Sequence, residues 1–527
     1  MKRAETLISI FLLALFIITY SHTSSLSVSW KNFSEDSGDL LTAAYILGIP
    51  HPTGYPLFVL LGRVFSLTMP GSLAFRITLV SLFSCCLAAV FLFLSLARLF
   101  RSGIGLASAA FASLALGFSL YFWSEAVVAE VYALNVLFLS LSAYFLIRWT
   151  YPDRPDSRPS AYLLLSAYLL GLSFANHMLS VVALLFAGIL VLAGPGRQRL
   201  SLAVFLAAAG FFVLPLTLYA YLPVRSLRNP ELDWGNPETW HQFKWLVTGE
   251  QYRFRFMAQP LSQAISRLWP GPFLAAGWPV LFLSTVGVFS RKLGGALRAA
   301  LIAVIAADLL TILLYDIPDF PTYFLPASYA LCFLAGAGFE LVTRSASSAA
   351  GRVKMLAEAS RGKMRVAGTA GLAGALMMVS ILPVALHNGN KTDASKDLHP
   401  YIFGRAAFRI VEPNALIISE YDGRTFALWF FGQTEFKKSH EDCVVVLKYL
   451  FVWPWYVDNL KKLHPDLSLS QAGPMDEVML ELVSSNIEKR PIYTVREDPT
   501  LTPFYNLRPI LGGETELFKV EKAERPR

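Results

Sequence analysis

Charge is scarce in this sequence. Only 16% of its 527 residues are Asp, Glu, Lys or Arg, whereas 55% are hydrophobic, and soluble globular domains carry about 25% charged residues. This shortage excludes an ordinary globular protein and predicts a chain that crosses a membrane several times. The net charge of +8 is attributed to basic cytoplasmic loops, so nucleic acid is given no weight as a partner.

Cysteine is also scarce, with four residues in the chain. Cys85, Cys86 and Cys332 lie in apolar runs, and Cys443 stands alone in the polar C-terminal part. This distribution predicts neither a disulfide framework nor a metal site. The sequence also has no glycine-rich phosphate-binding motif, no internal repeat and no low-complexity tract.

Apolar runs, by contrast, are abundant. A transmembrane helix needs roughly 17–25 largely apolar residues, and about eleven runs approach or reach that length. The first follows a basic start and could be a signal peptide, but it lacks an A-x-A cleavage pattern and is predicted to be an uncleaved helix. The predicted runs are 7–20, 73–96, 104–122, 128–147, 161–175, 178–193, 200–222, 273–289, 297–315, 323–342 and 366–386.

Basic residues cluster at every second loop between these runs. The clusters include Lys2 with Arg3, Arg98 with Arg101, and Arg197 with Arg199. Because basic residues favour the cytoplasmic side, the pattern places the N-terminus in the cytoplasm. The opposite side then holds loops 23–72 and 223–271 and everything after residue 386.

Two units follow from this pattern. Residues 1–386 form a polytopic α-helical membrane domain, and residues 387–527 form an extracytoplasmic soluble domain. The tail alternates strand-like runs such as A-L-I-I-S with helical runs such as W-Y-V-D-N-L-K-K-L, which predicts an α/β fold. In the first external loop, residues 40–67 read as two amphipathic helices at the membrane surface, joined by the P-H-P-T-G-Y-P turn.

Acids in the first external loop are the leading candidates for chemistry. Asp36 and Asp39 are three positions apart, so they share one face of a helix, and a carboxylate beside a bilayer suits general-base work. The plainer alternative is a solvated loop. His51, between two prolines, could donate to a phosphate, act as an acid, or only shape the turn.

Further polar residues lie at the same predicted membrane edge. Glu130 begins a span and is expected to face the interior of the bundle, and Asn176 with His177 forms an external turn that could point into the same cavity. Arg225 suits bidentate phosphate binding, although an arginine there could also snorkel to lipid headgroups. Trp234, Trp240 and Trp245 fit either an interfacial belt or a sugar platform.

Several blocks of the sequence resemble one family of membrane proteins. They are D-S-G-D-L-L-T-A-A-Y-I-L-G-I-P-H-P-T-G-Y-P-L-F, W-S-E-A-V-V-A-E-V-Y, G-L-S-F-A-N-H, Y-L-P-V-R-S-L-R-N-P-E-L-D-W-G-N-P-E-T-W and Y-D-I-P-D-F-P-T-Y-F-L-P. Together they resemble the protein O-mannosyltransferase-like family, which includes bacterial members and a eukaryotic relative. The resemblance implies a type C glycosyltransferase fold and a lipid-linked sugar donor, typically a polyprenyl or dolichyl phosphate monosaccharide.

The resemblance also implies roles for individual residues. A catalytic acid is expected early in the first external loop, which suggests Asp36 as the base. Asp36 is preferred because it lies nearer the first helix, and Asp39 stands second. The family often carries Glu where this sequence has Asp39, which suggests a positioning role for Asp39. Arg225, His51 and Tyr55 would bind the donor phosphate and lipid-linked sugar, and the supporting cavity residues would be Glu130, Tyr132, Asn176 and His177.

The expected reaction moves a sugar, with mannose the family-based choice, to an acceptor hydroxyl, on protein or on a glycan. It needs no resident cofactor, and a divalent metal is left open. The expected location is the bacterial inner or plasma membrane, with the tail periplasmic or extracellular. The alternatives are a lipid-linked glycan transporter or flippase and a non-catalytic membrane scaffold.

Overall fold

The computed structural model describes residues 2–152, 159–268, 277–357, 364–511 and 517–523. Arg154, Arg158, Arg361 and Lys363, which the charge pattern assigns to the cytoplasmic side, lie outside these residues. So do the start of the predicted span 273–289 and the end of the predicted loop 223–271.

The first part of the chain is a helical bundle with short helices on one side. The first helix, Lys2–Thr23, packs into the bundle through Leu12, Phe16 and Tyr20. In chain order the described α-helices are α1 Lys2–Thr23, α2 Ser37–Ile46, α3 Pro56–Thr68, α4 Leu73–Leu99, α5 Gly103–Gly117, α6 Leu120–Ala126, α7 Tyr132–Thr150, α8 Pro159–Phe174, α9 Val181–Ala193, α10 Leu202–Leu216, α11 Tyr221–Ser226, α12 Trp240–Val247, α13 Leu261–Leu268, α14 Trp278–Gly287, α15 Gly295–Leu314, α16 Leu325–Ala357 and α17 Met364–Thr392.

Each predicted span overlaps one or more of these helices. Among the described residues, six helices are long and apolar enough to cross a membrane, or seven if the pair α5 and α6, bent by 67°, counts as one span. Other predicted spans fall on shorter apolar helices, including α8, α9 and α14. A membrane protein is therefore confirmed, and the figure of about eleven spans stays a prediction.

The first external loop contains two helices where its sequence predicts them, but α2 is not the amphipathic surface helix expected, because every residue from Ser37 to Ala44 is buried. Helix α2 begins after Asp36 and ends at Leu47, which adopts a left-handed conformation. Helix α3 starts on Pro56, where the missing amide hydrogen costs no hydrogen bond. A Cβ on Gly62 of α3 would lie 2.8 Å from the Cβ of Ala44, so the two helices pack in direct contact.

The C-terminal part is a five-stranded sheet with helices. Its strands are β1 Leu416–Ser419, β2 Val444–Leu447, β3 Ile492–Thr494, β4 Tyr505–Leu511 and β5 Leu517–Lys522, in the order β2-β1-β3-β5-β4. Strands β1, β2 and β3 are parallel, and β5 and β4 are antiparallel. Its helices are α18 His399–Ile410, α19 Asp422–Gln433, α20 Pro454–Leu463 and α21 Met475–Asn486. The predicted α/β fold of the tail is confirmed.

The tail packs directly on the first external loop. The carboxylate oxygen Oδ2 of Asp397 accepts hydrogen bonds from the Ser29 hydroxyl at 2.7 Å and from the backbone amides of Trp30 and Lys31 at 2.8 and 3.0 Å. A Cβ on Gly38 of α2 would come within 2.6 Å of the backbone carbonyl of Phe426 in α19. Glycine at position 38 therefore permits the close approach of these two helices.

Candidate active site

The centre of the candidate site is a chain of three side chains in the first external loop. Nδ1 of His51 lies 2.6 Å from Oδ2 of Asp39, and the His51 amide donates to the same oxygen at 3.0 Å. On the other side of the ring, Nε2 lies 3.6 Å from Oδ2 of Asp36. His51 therefore stands between two carboxylates.

The two carboxylates differ in exposure. The side chain of Asp39 is completely buried, whereas 42% of the Asp36 side chain is exposed. Helix α2 produces this difference, because Asp36 precedes its first turn and Asp39 lies inside that turn. Asp39 is thus committed to holding His51, and Asp36 is open to a molecule that enters the site.

Burial and neighbouring charges shift two pKa values here. Desolvation by the surrounding protein raises the pKa of Asp36 to about 7 although part of its side chain is exposed, with His51 opposing the rise. For His51, burial alone would lower the pKa, but the carboxylates of Asp36 and Asp39 outweigh it and raise the pKa to about 9. Between these values, an ionised Asp36 and a protonated His51 coexist, which is the state a general base with an adjacent cation requires.

Aromatic side chains lie next to Asp36, His51 and Asp39. The rings of Tyr55 and His177 stack with centroids 5.7 Å apart, and Tyr132 lies 5.1 Å from His177. Nδ1 of His177 accepts a hydrogen bond from the Leu179 amide at 3.0 Å, and burial lowers the pKa of His177 to about 3. His177 is therefore neutral, with its proton on Nε2 available for donation.

Glu130 and Asn176, the other predicted cavity residues, are also buried. The Glu130 backbone is tied to the Ser81 hydroxyl on both its amide and its carbonyl, at 3.1 and 2.9 Å. The side-chain nitrogen Nδ2 of Asn176 donates to the Val131 carbonyl and to Oδ1 of Asn135. Asn176 therefore connects the α8–α9 turn to the start of α7.

Arg225 lies at the end of α2. Its Nε donates to the Leu47 carbonyl at 2.6 Å and its Nη2 to the Ile46 carbonyl at 3.3 Å. These carbonyls are at the C-terminus of α2, where the helix leaves acceptors without partners and a positive charge is stabilising. The structure thus places this guanidinium on the helix that carries Asp39, at the end farther from Asp36.

The three tryptophans of the second external loop have different environments. Trp234 is buried, lies edge-on to His51 with ring centroids 6.2 Å apart, and donates from Nε1 to Gln251 at 2.9 Å. Trp245 is buried against Trp453, whereas Trp240 is 77% exposed. Trp234 and Trp245 therefore pack in the interior, between the second external loop and the tail.

Two further acids, which were not predicted from the sequence, adjoin the site. Oδ2 of Asp319 accepts a hydrogen bond from the Tyr132 hydroxyl at 3.1 Å, and burial raises the pKa of Asp319. Asp422 begins α19 in the tail, accepts from the Tyr449 hydroxyl at 2.5 Å, and has a pKa raised to about 6 by burial. Asp319 lies in the Y-D-I-P-D-F-P-T-Y block and could have been nominated there. Asp422 has no comparable signal in its local sequence.

These side chains can carry out acid–base chemistry on a hydroxyl. Asp36 can accept a proton, Asp39 fixes the imidazole ring, and the protonated His51 supplies a positive charge beside the acid. Among the described residues, no group of three or more His, Cys, Asp or Glu side chains is arranged to hold a metal ion.

Comparison with known sequences identifies relatives of part of the chain. Residues 36–200 match the family described as "Protein O-mannosyl-transferase TMEM260 N-terminal domain". Protein O-mannosyl-transferase TMEM260 of Mus musculus is 33% identical over 222 residues, which are 41% of this chain and 31% of the relative. The Dictyostelium discoideum protein of the same name is 27% identical over 251 residues, which are 45% of this chain and 29% of the relative. The matched region thus spans about a third of these curated relatives, and it confirms the resemblance drawn from the sequence blocks.

Comparison with solved structures covers nearly the whole chain. ArnT from Cupriavidus metallidurans in the apo state aligns with a TM-score of 0.58 at 12% identity, over 98% of both chains. The same protein bound to undecaprenyl phosphate aligns with a TM-score of 0.57 at 13% identity, again over 98% of both chains. The likeness shows that this chain shares the fold of ArnT over nearly its whole length, in agreement with the predicted type C glycosyltransferase-like fold.

Proposed function

We propose that this chain is a membrane glycosyltransferase that moves a sugar from a polyprenyl phosphate donor to a hydroxyl group of a protein. The observation that carries the proposal is the chain from Asp36 through His51 to Asp39, with one acid open and the other buried. The relatives named as protein O-mannosyl-transferases support this reaction and make mannose the proposed sugar. The ArnT structure with undecaprenyl phosphate supports the class of donor.

In the proposed reaction, Asp36 accepts the proton of the acceptor hydroxyl. The oxygen attacks the anomeric carbon of the sugar as the bond between that carbon and the phosphate oxygen breaks, which inverts the centre. The polyprenyl phosphate leaves with the bonding electrons. Asp39 holds the His51 ring, and the protonated His51 stabilises negative charge that develops on the phosphate. Tyr55 positions His177, which donates from Nε2 to the same leaving group.

The role proposed from sequence for Arg225 is less well supported than that of His51. Both guanidinium contacts described above go to carbonyls at the end of α2. We therefore propose that Arg225 holds this helix in place and that His51 is the cation nearer the reacting atoms. The site lies on the non-cytoplasmic side, as the distribution of basic residues predicts.

Substitution of the base tests the proposal. The full-length chain in lipid vesicles is supplied with polyprenyl-phosphate [14C]mannose and a Ser/Thr peptide pool, and labelled peptide is counted. We expect Asp36→Asn to lower kcat by about 10²–10⁴-fold, the usual contribution of a general base. Asp458→Asn, which changes an exposed acid of α20, is the matched control and should keep full activity.

Full transfer activity in Asp36→Asn would remove Asp36 from the mechanism. Movement of the labelled lipid across the vesicle membrane without sugar transfer would instead support the flippase alternative. Full function of the chain after loss of Asp36 and Glu130 together would support the scaffold alternative.

A further inference from the structure

An open cleft lies beside the Asp36 loop, at its contact with the tail. The cavity measures about 380 Å³ and is lined by Trp30, Glu35, Tyr421, Gly423, Arg424 and Arg496. Two of these residues, Trp30 and Glu35, come from the first external loop, and the other four come from the tail. The cleft therefore exists only when the two parts are packed together.

The cleft is lined by residues that adjoin two acids of the candidate site along the chain. Glu35 directly precedes Asp36, and Gly423 directly follows Asp422. Nε1 of Trp30 donates to the Gly423 carbonyl at 2.9 Å, and a Cβ on Gly423 would lie 3.4 Å from the Cβ of Glu35. The lining of the cleft therefore includes the chain neighbours of both Asp36 and Asp422.

The chemistry of the walls favours a polypeptide. Arg424 and Arg496 both place guanidinium groups over the Tyr421 ring, at 5.9 and 5.6 Å from its centroid. The Trp30 ring packs on Phe403 at 5.9 Å. Because these guanidinium groups and Phe403 lie beside the Tyr421 and Trp30 rings, less of either aromatic face is left for a sugar ring to stack on. The exposed Arg496 guanidinium and Glu35 carboxylate instead supply donors and acceptors for the carbonyl and amide groups of an extended peptide.

We propose that this cleft binds the acceptor as an extended polypeptide segment and directs its Ser or Thr hydroxyl to Asp36. This inference rests on the proposed function, and it adds the acceptor site and the tail residues that form it. The anchors are Tyr421, which is 42% exposed, and Arg496, whose Nη1 contacts the Tyr421 hydroxyl. The tail thereby contributes directly to acceptor selection.

Peptide binding and sugar release are measured separately to test the cleft. The full-length chain in lipid vesicles is titrated with a fluorescent library of short Ser/Thr peptides, and anisotropy gives Kd without any chemistry. Hydrolysis of polyprenyl-phosphate [14C]mannose by water reports the donor side. We expect Arg496→Gln and Tyr421→Ala each to raise peptide Kd by about tenfold, because each removes an anchoring contact. Hydrolysis of the donor should stay within about twofold, since neither residue touches it.

Two further variants separate binding from folding. Arg508→Gln removes a guanidinium of β4 that pairs with Glu521 of β5. Arg508 does not line the cleft, so this variant should leave peptide Kd unchanged. Arg496→Lys keeps the charge and loses the planar fork, so it should recover only part of the affinity. If Arg496→Gln or Tyr421→Ala unfolds at a different temperature from wild type, its peptide Kd is set aside and that of Arg496→Lys is compared with wild type instead.

The remaining outcomes are distinct. Unchanged peptide Kd in both cleft variants, or absence of peptide binding by the wild-type chain while an oligosaccharide binds, overturns the acceptor cleft. Tight, Arg496-dependent peptide binding without donor hydrolysis or sugar transfer would support the cleft as a peptide site. The same result would contradict the proposed glycosyltransferase function but not the peptide site.

Discussion

At the scale of single residues, exposure separates two acids that look equivalent along the chain. Asp39 is fully buried and holds His51 through its side chain and backbone, whereas Asp36 is open. A buried carboxylate that is already hydrogen-bonded orients its partner, and the accessible one can meet substrate. The two residues are therefore proposed to have different roles, base for Asp36 and positioning for Asp39.

The pH dependence of kcat/KM tests these roles. Activity should rise with pH through about 7, because Asp36 must lose its proton to act as a base, and should fall above about 9 as His51 loses its charge. Because the Asp39 carboxylate helps to raise the pKa of His51, Asp39→Asn should move the alkaline limb to lower pH. Steady-state rates between pH 5 and 10 measure both limbs. An alkaline limb that stays in place in Asp39→Asn would contradict the positioning role.

At the scale of elements, helix α2 is held at both ends. Asp36 precedes its first turn and Asp39 lies within that turn, and its last carbonyls accept from Arg225. Next to it, residues 49 and 233 form a parallel bridge, which attaches the second external loop to the P-H-P-T-G-Y-P turn. The position of the acids therefore depends on contacts from a segment about 180 residues later in the chain.

Arg225 can be tested as a residue that acts through this helix. Arg225→Gln should lower kcat by about tenfold, because loss of a charged hydrogen bond costs about 1.5–3 kcal/mol and loosens α2. The KM for the lipid-linked donor should stay unchanged, since the guanidinium contacts backbone rather than phosphate. A large rise in donor KM with little change in kcat would restore the phosphate-binding role. The exposed-pair variant Arg508→Gln serves as the control.

At the scale of the whole molecule, the site is assembled from the membrane domain and the tail. Asp397 binds Ser29, Trp30 and Lys31 through one oxygen. Helix α19 packs against α2 and brings Asp422 next to the loop. Apolar residues of both parts form one core, with Val28, Leu40 and Phe58 on one side and Phe403, Phe408 and Ile417 on the other. The tail is thus part of the site and not a separate appendage.

Asp397→Ala should weaken this attachment without unfolding either part. The Trp30 amide loses its acceptor, and the Lys31 amide keeps only the longer contact to the Ser29 hydroxyl at 3.2 Å. Their hydrogen exchange should therefore speed up by about tenfold, as loss of about 1.4 kcal/mol of local stability implies. Hydrogen-exchange mass spectrometry of the full-length chain measures this change. Asp458→Ala is the control, and equal exchange in the two variants would show that Asp397 does not hold the loop.

Much of the architecture was predictable from the order of residues. Apolar runs located the helices because a bilayer requires long hydrophobic segments, and the Pro/Gly-rich turn divided residues 40–67 into two helices because proline cannot continue one. The family blocks led to the type C fold and to Asp36 and Asp39 as candidates. Alternating strand and helix patterns in the tail predicted its α/β character.

The sequence alone determined that this is a membrane protein with an acid-bearing loop between hydrophobic segments, because hydropathy and local breakers are properties of neighbouring residues. Tertiary structure alone decided which acid is open, that Arg225 binds carbonyls of α2, and that Asp422 and the arginine-lined cleft from the tail join the loop. Burial and hydrogen bonding depend on segments that pack together from positions nearly 400 residues apart. Such contacts leave no local pattern for a single sequence to display.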